Sequence, residues 1–496
     1  MTSEFVIGRL PTGVPGLDAL LDGGLAEYSF NLIAGAPGSG KTTLAHQMMF
    51  ALANPDRKAL FFTVLGEPAL KMLRHQQQYS FFDISKLNKS IRFVNLGEAV
   101  KDGNLELVLA QIVEEVERFE PGLVFVDSFR SAALASQGTS SGDSALQHFV
   151  QQLGMHLTSW QATTFLIGEW NSIDSEANPV FTIADGILLL QQSIHRNSMV
   201  RKIQVAKSRG QAMLAGLHTF RMSTDGIQVF PRTIMASPHG EKRSRREKAA
   251  PLQRLSMGVP SLDEMMGGGL PSGYSLLISG PSGSGKSLLA TQFLAEGARH
   301  GEKGVVAAFE RSPGTSRNPG LDDLVDDGHV AVVDTRALDL SIDETLFRIT
   351  ELIRETGATR IVIDSLSGFE LALAPTFRED FRESLHRMVA MLTAMGATIL
   401  MVSELEDRYN DLRFSPYGAA FLTDAIIVQR YVELDGALRR VMSVVKVRNS
   451  AHSHALRLYD ITEEGLVIRE LDPGIAGFMT GHPRRGVPVL SGDANS

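Results

Sequence analysis

Gly35-Ala36-Pro37-Gly38-Ser39-Gly40-Lys41-Thr42 and, 245 positions later (286 − 41 = 245), Gly280-Pro281-Ser282-Gly283-Ser284-Gly285-Lys286-Ser287 decide the fold of this chain. Both fit G-x-x-x-x-G-K-[ST], a pattern in which each position has a physical task. The glycines let the backbone curl until successive N–H groups point inward at phosphate oxygens. The helix that follows, running on through Thr43 in the first copy and Leu288 in the second, turns its positive end to the same anion. Lys41 and Lys286 reach the outer phosphates. The Thr42 and Ser287 hydroxyls suit a magnesium ion, which prefers oxygen ligands. The expected cofactors are therefore ATP and Mg2+. Each copy follows an apolar run, Leu32-Ile33-Ala34 or Leu276-Leu277-Ile278-Ser279, and precedes helical periodicity, Leu44 to Leu52 or Leu288 to Leu294.

The repetition extends outward from the loops. Gly13-Val14-Pro15-Gly16-Leu17-Asp18 returns as Gly258-Val259-Pro260-Ser261-Leu262-Asp263, and Gly23-Gly24-Leu25 returns as Gly268-Gly269-Leu270. Downstream, Val124-Phe125-Val126-Asp127-Ser128 answers Ile361-Val362-Ile363-Asp364-Ser365, Asp185-Gly186-Ile187-Leu188 answers Asp424-Ala425-Ile426-Ile427, and Lys207-Ser208-Arg209 answers Lys446-Val447-Arg448. Matched landmarks in one order point to a duplicated domain. Within each half, short continuous apolar runs alternate with helical patterns, which predicts an α/β fold: a mostly parallel sheet covered by helices on both faces. Segments such as Arg201 to Ala206 and Leu217 to Met222 alternate as antiparallel strands do and are expected to close one edge of the sheet. The expected organisation is a first ATP-binding domain over 1–235, a charged linker over 236–250 containing Arg245-Arg246, a second ATP-binding domain over 251–473, and a flexible, Gly- and Pro-rich tail over 474–496.

Bulk properties agree with this plan. A single hydrophobic core stops growing near ~250–300 residues, so a chain of 496 calls for two. The net charge of −8 argues against a nucleic-acid partner. The absence of cysteine excludes disulfides, thiolate metal sites and cysteine nucleophiles. The start, Met1-Thr2-Ser3-Glu4-Phe5, carries no basic stretch followed by an apolar one, so no secretory leader is expected. No apolar run reaches the roughly 18 residues of a membrane helix. The expected location is the cytoplasm, with no membrane partner.

Several polar residues stand out against these runs. Asp127 and Asp364 each end an apolar strand, where a carboxylate can hold a water of the magnesium ion. The alternative for both is a helix N-cap. Hydrolysis also needs a group to orient or deprotonate the attacking water. After the strand that follows the loop's helix, the second half offers Glu310 in Phe309-Glu310-Arg311, read here as the base. The first half offers only a displaced Glu67, in Val64-Leu65-Gly66-Glu67, read as a surface residue. Glu169 and Glu404, after the next apolar strand of each half, are further polar candidates near the γ-phosphate. The pairs Lys207-x-Arg209 and Lys446-x-Arg448 put two cations on one strand face. They serve either as a solvated face or as catalytic contacts to a nucleotide held by a neighbouring subunit, as an arginine finger does.

Taken together, the paired G-V-P-x-L-D openings, both loops, Asp364-Ser365-Leu366-Ser367, Thr423-Asp424-Ala425-Ile426-Ile427, Tyr431-Val432-Glu433 and Lys446-Val447-Arg448 resemble the KaiC family of ATPases over nearly the whole chain outside linker and tail. The resemblance implies two tandem RecA-like P-loop NTPase domains. It also implies self-association into a two-tiered hexameric ring with ATP between subunits, and a role in trans for both Lys-x-Arg pairs. His452 fits the family's basic cluster, with Met213 as its counterpart in the first half. Two departures stand out. The family's paired catalytic glutamates fall on Leu65-Gly66 and on Glu310-Arg311. The adjacent Ser-Thr pair that accepts phosphate in the family's clock function is replaced by Ala420-Phe421. The expected function is a magnesium-dependent ATPase ring acting as a signalling or assembly switch, with an unidentified protein partner. The alternatives are a serine/threonine autokinase activity in the second domain and, disfavoured by the acidic balance, a DNA-dependent motor.

Overall fold

The computed structural model describes residues 8–63, 69–97, 105–127, 148–149, 151–156, 161–169, 179–195, 198–232, 253–309, 319–333, 340–378, 380–405, 422–434, 436–463, 465–470, 475–476 and 484–485. The chain divides into two compact units, Met1–Thr233 and Ile234–Ser496. Glu67, Glu310, Ala420, Phe421 and the charged run at 241–248 lie outside the described residues.

The first unit opens with a hairpin of β1 (Arg9–Leu10) and β2 (Leu25–Ala26). The repeated opening motif explains it. Asp18 accepts from the Thr12 backbone N–H at 2.8 Å and from its hydroxyl at 2.7 Å, closing the turn. Gly24 sits at φ 131°, and a Cβ there would lie 2.4 Å from the Leu10 carbonyl oxygen, so only glycine lets the two strands meet. In the second unit β12 (Arg254–Leu255) pairs with β13 (Leu270–Pro271), Asp263 accepts from the Met257 N–H and the Ser256 hydroxyl, and Gly269 meets the Leu255 carbonyl.

Each unit is then built on one sheet that has nine strands among the described residues. In the first these are β3 (Phe30–Gly35), β4 (Ala59–Thr63), β5 (Ile91–Asn95), β6 (Leu123–Asp127), β7 (Thr163–Glu169), β8 (Gly186–His195), β9 (Ser198–Ser208), β10 (His218–Ser223) and β11 (Gly226–Phe230). Their order is β5-β4-β6-β7-β3-β8-β9-β10-β11, parallel as far as β8 and antiparallel beyond it. The second unit repeats this with β14 (Ser275–Gly280), β15 (Gly304–Ala308), β16 (Val330–Val332), β17 (Arg360–Asp364), β18 (Thr398–Glu404), β19 (Ala425–Leu434), β20 (Ala437–Val447), β21 (Arg457–Thr462) and β22 (Gly465–Arg469). Their order is β16-β15-β17-β18-β14-β19-β20-β21-β22.

The central strands are apolar throughout because both faces are covered. In the first unit Ile33, Phe61, Phe125 and Phe165 pack with Leu44 and Met48 of the helix Lys41–Leu52. Their neighbours Leu32, Phe62, Val124 and Leu166 pack on the other face with Leu109, Ile112 and Val116 of Leu105–Phe119. The second unit divides Ile278, Val362 and Leu400 from Leu277, Ile361 and Met401 in the same way, against the helices Lys286–Arg299, Ile342–Thr356 and Phe381–Ala394. Each fully buried side chain of this size is worth roughly 1.5–3 kcal/mol, and together they fix the sheet order. These are two tandem RecA-like α/β domains.

Candidate functional site

In each unit the strand that enters the glycine loop, β3 or β14, lies between two parallel neighbours, and the loop leaves from its C-terminal end. That is where doubly covered parallel sheets open a crevice for ligands. Gly35 ends β3 and Gly280 ends β14. Ala36, Pro37, Gly38, Ser39 and Gly40, like Pro281, Ser282, Gly283, Ser284 and Gly285, turn the chain into the helices that start at Lys41 and Lys286. Gly40 at φ 102° and Gly285 at φ 94° make the last bend in the left-handed region. The two loops are alike in detail. Lys41 Nζ donates to the Ala36 carbonyl at 2.8 Å, and Lys286 Nζ to the Pro281 carbonyl at 2.7 Å, so each ammonium is folded over its own loop. Lys41 is only 7% exposed and Lys286 9%. Burial holds the Lys41 pKa below its ordinary value, opposed by the negative charges of Glu169 and Asp127.

The strand order brings the acidic residues to the loop. Asp127 ends β6, one strand beyond β7, yet the Thr42 hydroxyl donates to Asp127 Oδ2 at 2.7 Å. Hydroxyl, carboxylate and ammonium thus meet at the foot of the first loop, with Glu169 paired in register beside Gly35. An oxygen-only pair of this kind fits magnesium, which is commonly held by one or two protein oxygens plus the substrate's phosphates. Among the described residues no cluster of three or more His, Asp or Glu is placed to hold a metal unaided. In the second unit Asp364 ends β17, Ser287 lies in the first turn of its helix, and Glu404 pairs beside Gly280. The helix after Asp364 is capped by Ser365, whose hydroxyl accepts from Gly368 N–H at 3.1 Å. Asp364 is therefore not the cap. Thr43 and Leu288, both half-buried, continue the first helical turns.

The Lys-x-Arg pairs sit at the far end of β9 and β20. Lys207 Nζ donates to the Phe181 and Thr182 carbonyls at 3.0 and 2.9 Å, and Arg209 reaches the Thr182 carbonyl at 3.1 Å and Asp185 at 3.3 Å. Two cations thereby meet the last carbonyls of the short helix Pro179–Ile183, the end of a helix that favours positive charge. Lys446 donates to the Thr423 carbonyl, and Arg448 pairs with Asp424 at 3.2 Å. Burial lowers the pKa of both lysines, the adjacent arginine lowers it further, and the aspartate opposes.

Two features of this region escaped the sequence reading. In both units the register shifts just before the lysine: Ile187 pairs with Lys207 but Leu188 with Val205, and Ile426 with Lys446 but Ile427 with Val444. The same β-bulge, at Ala206 and at Val445, re-aims the pair. Strands β8 and β19 also support the loops from outside. Gln192 Nε2 donates to the Pro37 carbonyl at 3.2 Å and the Tyr431 hydroxyl to that of Ser282 at 3.4 Å. No local pattern could have signalled a bulge, and different residue types doing one task hide the correspondence of Gln192 and Tyr431.

Comparison with known proteins follows the same division. The sequence profile described as "ATPase: KaiC" matches twice, over residues 10–234 and 255–472. The chain is 27% identical to the circadian clock oscillator protein KaiC 1 of Synechocystis sp., with 97% of this chain and 92% of that protein covered. It is 25% identical to the circadian clock protein KaiC3 of the same organism (96% and 95%) and 24% identical to the circadian clock oscillator protein KaiC of Prochlorococcus marinus (98% and 97%). Among the described residues no helix is long and apolar enough to cross a membrane. With two matched profiles covering most of its length, two RecA-like units and a nucleotide loop in each, the chain belongs to the KaiC family of ATPases.

Proposed function

We propose that both loops hold ATP with magnesium, that the chain assembles into a ring, and that the two domains divide the work: the first assembles the ring and the second turns ATP over. The observation that carries the metal reading is the Thr42–Asp127 contact beside the buried Lys41 ammonium. Lys41 and Lys286 bind the β- and γ-phosphates. Thr42 and Ser287 supply a hydroxyl to magnesium, while Asp127 and Asp364 hold its waters. When bound there, magnesium would offset negative charge on the phosphoryl group. Glu310 deprotonates the attacking water in the second domain, where the first has Leu65-Gly66 before Glu67.

The ring reading rests on the Lys-x-Arg pairs. The same bulge presents both, and both arginines keep substantial exposure, 57% at Arg209 and 49% at Arg448, while paired within their own chain. In a ring they meet the nucleotide of the neighbouring subunit. The domains are assigned to 1–235 and 251–473, with 236–250 as linker, in a cytoplasmic protein. The relatives are named as circadian clock proteins. Ala420-Phe421, without hydroxyls, favours a signalling or assembly switch here over a phosphorylation cycle.

Lys41→Ala and Lys286→Ala test the division, with ATP turnover and particle mass measured together under saturating Mg-ATP. Lys41→Ala should dissolve the ring, and Lys286→Ala should abolish most turnover while leaving the ring intact. Equal losses of turnover with intact rings in both variants contradict the division, and a wild-type protein that stays monomeric removes the role in trans.

A further inference from the structure

We infer that Tyr459 and Gln429 are positioning residues for the second phosphate loop, and that they make nucleotide leave this loop more slowly than the first. The inference rests on the reading of both loops as nucleotide sites. Tyr459, on β21 and 2% exposed, donates its hydroxyl to the Ser284 carbonyl at 2.6 Å. Gln429, on β19 and wholly buried, accepts from the Ser284 hydroxyl at 2.9 Å. Ser284 is thus held by its backbone oxygen and by its side chain. The consequence for the ligand follows from peptide geometry. The Ser284 carbonyl and the Gly285 N–H belong to one planar trans peptide and point in opposite directions. A hydroxyl that fixes the oxygen from outside the loop therefore aims the N–H toward the phosphates.

The first unit has the same backbone without these anchors. Strand pairing gives the correspondence directly: Val441 faces Leu458 in the second unit as Lys202 faces Thr219 in the first, which puts Phe220 in the place of Tyr459. Leu190, in register with Gly35, takes the place of Gln429, which packs against Gly280. Neither Phe nor Leu can hydrogen-bond. Ser39, the counterpart of Ser284, is wholly buried and its hydroxyl has no hydrogen-bond partner among the described residues. The Lys41–Ala36 and Lys286–Pro281 contacts are matched, so these two anchors set the loops apart while the lysine contacts do not.

The test is stopped-flow release of a fluorescent N-methylanthraniloyl-ADP from the full-length protein. The phase removed by Lys286→Ala, in which the ring stays intact, reports the second loop, and the phase that survives in Lys286→Ala reports the first. Tyr459→Phe, which deletes only a hydroxyl, and Gln429→Leu should each speed the Lys286-dependent phase roughly three- to tenfold, the worth of one buried hydrogen bond. The reciprocal exchange, Phe220→Tyr with Leu190→Gln, should slow the phase that survives in Lys286→Ala, a change of opposite sense that general destabilisation does not produce. If both second-site variants fold and release at the wild-type rate, or the reciprocal exchange slows nothing, the inference fails while the nucleotide-site reading stands. Absence of any Lys286-dependent phase overturns both.

Discussion

His46 lies in the helix that leaves the first phosphate loop, five residues beyond Lys41, and is wholly buried. Its ring stacks on Phe61 with centroids 4.4 Å apart, at the end of a row in which Phe61 meets Phe125 and Phe125 meets Phe165. Neither ring nitrogen has a hydrogen-bond partner among the described residues. Burial without a partner holds the imidazole pKa down at about 3, against 6.5 in an unfolded chain. For a base, a lowered folded pKa means that the native state keeps the neutral form while the unfolded chain takes up the proton. The stability this provides is complete above about pH 6.5 and is lost as the pH falls toward 3. Each pH unit in that window costs about 1.4 kcal/mol, so the first domain should lose about 2 kcal/mol between roughly pH 7 and pH 5 from this residue alone. His46→Phe keeps the aromatic stack and removes the titration. Both tryptophans of the chain, Trp160 and Trp170, fall in the first unit, so their fluorescence in urea reports its unfolding. Wild type minus His46→Phe should show the 2 kcal/mol pH difference whatever the variant's absolute stability. Parallel pH profiles in the two proteins would refute the reasoning and place the native imidazole in contact with water.

Two further predictions concern single contacts. Asp127→Asn preserves an acceptor for the Thr42 hydroxyl but removes the charge, so the magnesium concentration for half-maximal ring assembly, read as particle mass at saturating ATP, should rise roughly 10–100-fold; an unchanged magnesium titration would leave Asp127 a purely structural role. Arg360, 2% exposed, donates to Glu302 and to the Ser256 and Phe293 carbonyls at 2.9 and 2.8 Å. Arg360→Met strands both carbonyls and should cost the second domain about 3 kcal/mol in chemical denaturation, whereas a loss below about 1 kcal/mol would mean that solvent replaces the bonds.

The chain announced its own duplication because the features that carry it are local. A glycine loop works through consecutive residues, a buried parallel strand is apolar along its whole length, and an aspartate at its end is visible beside it. Those patterns settled two P-loop units of α/β class and their nucleotide. They could not settle what arrives from a distance. Whether Asp127 reaches Thr42 depends on a sheet order that inserts β7 between their strands, and that order is fixed by packing of both faces, not by spacing along the chain. The serine cap that frees Asp364 from capping is chosen by the turn geometry after β17. The bulges that aim Lys207 and Lys446 arise only when two strands are paired. The difference between Tyr459 and Phe220 is a single oxygen atom, and it acquires meaning only because the tertiary fold sets that oxygen 2.6 Å from a loop carbonyl 175 residues earlier.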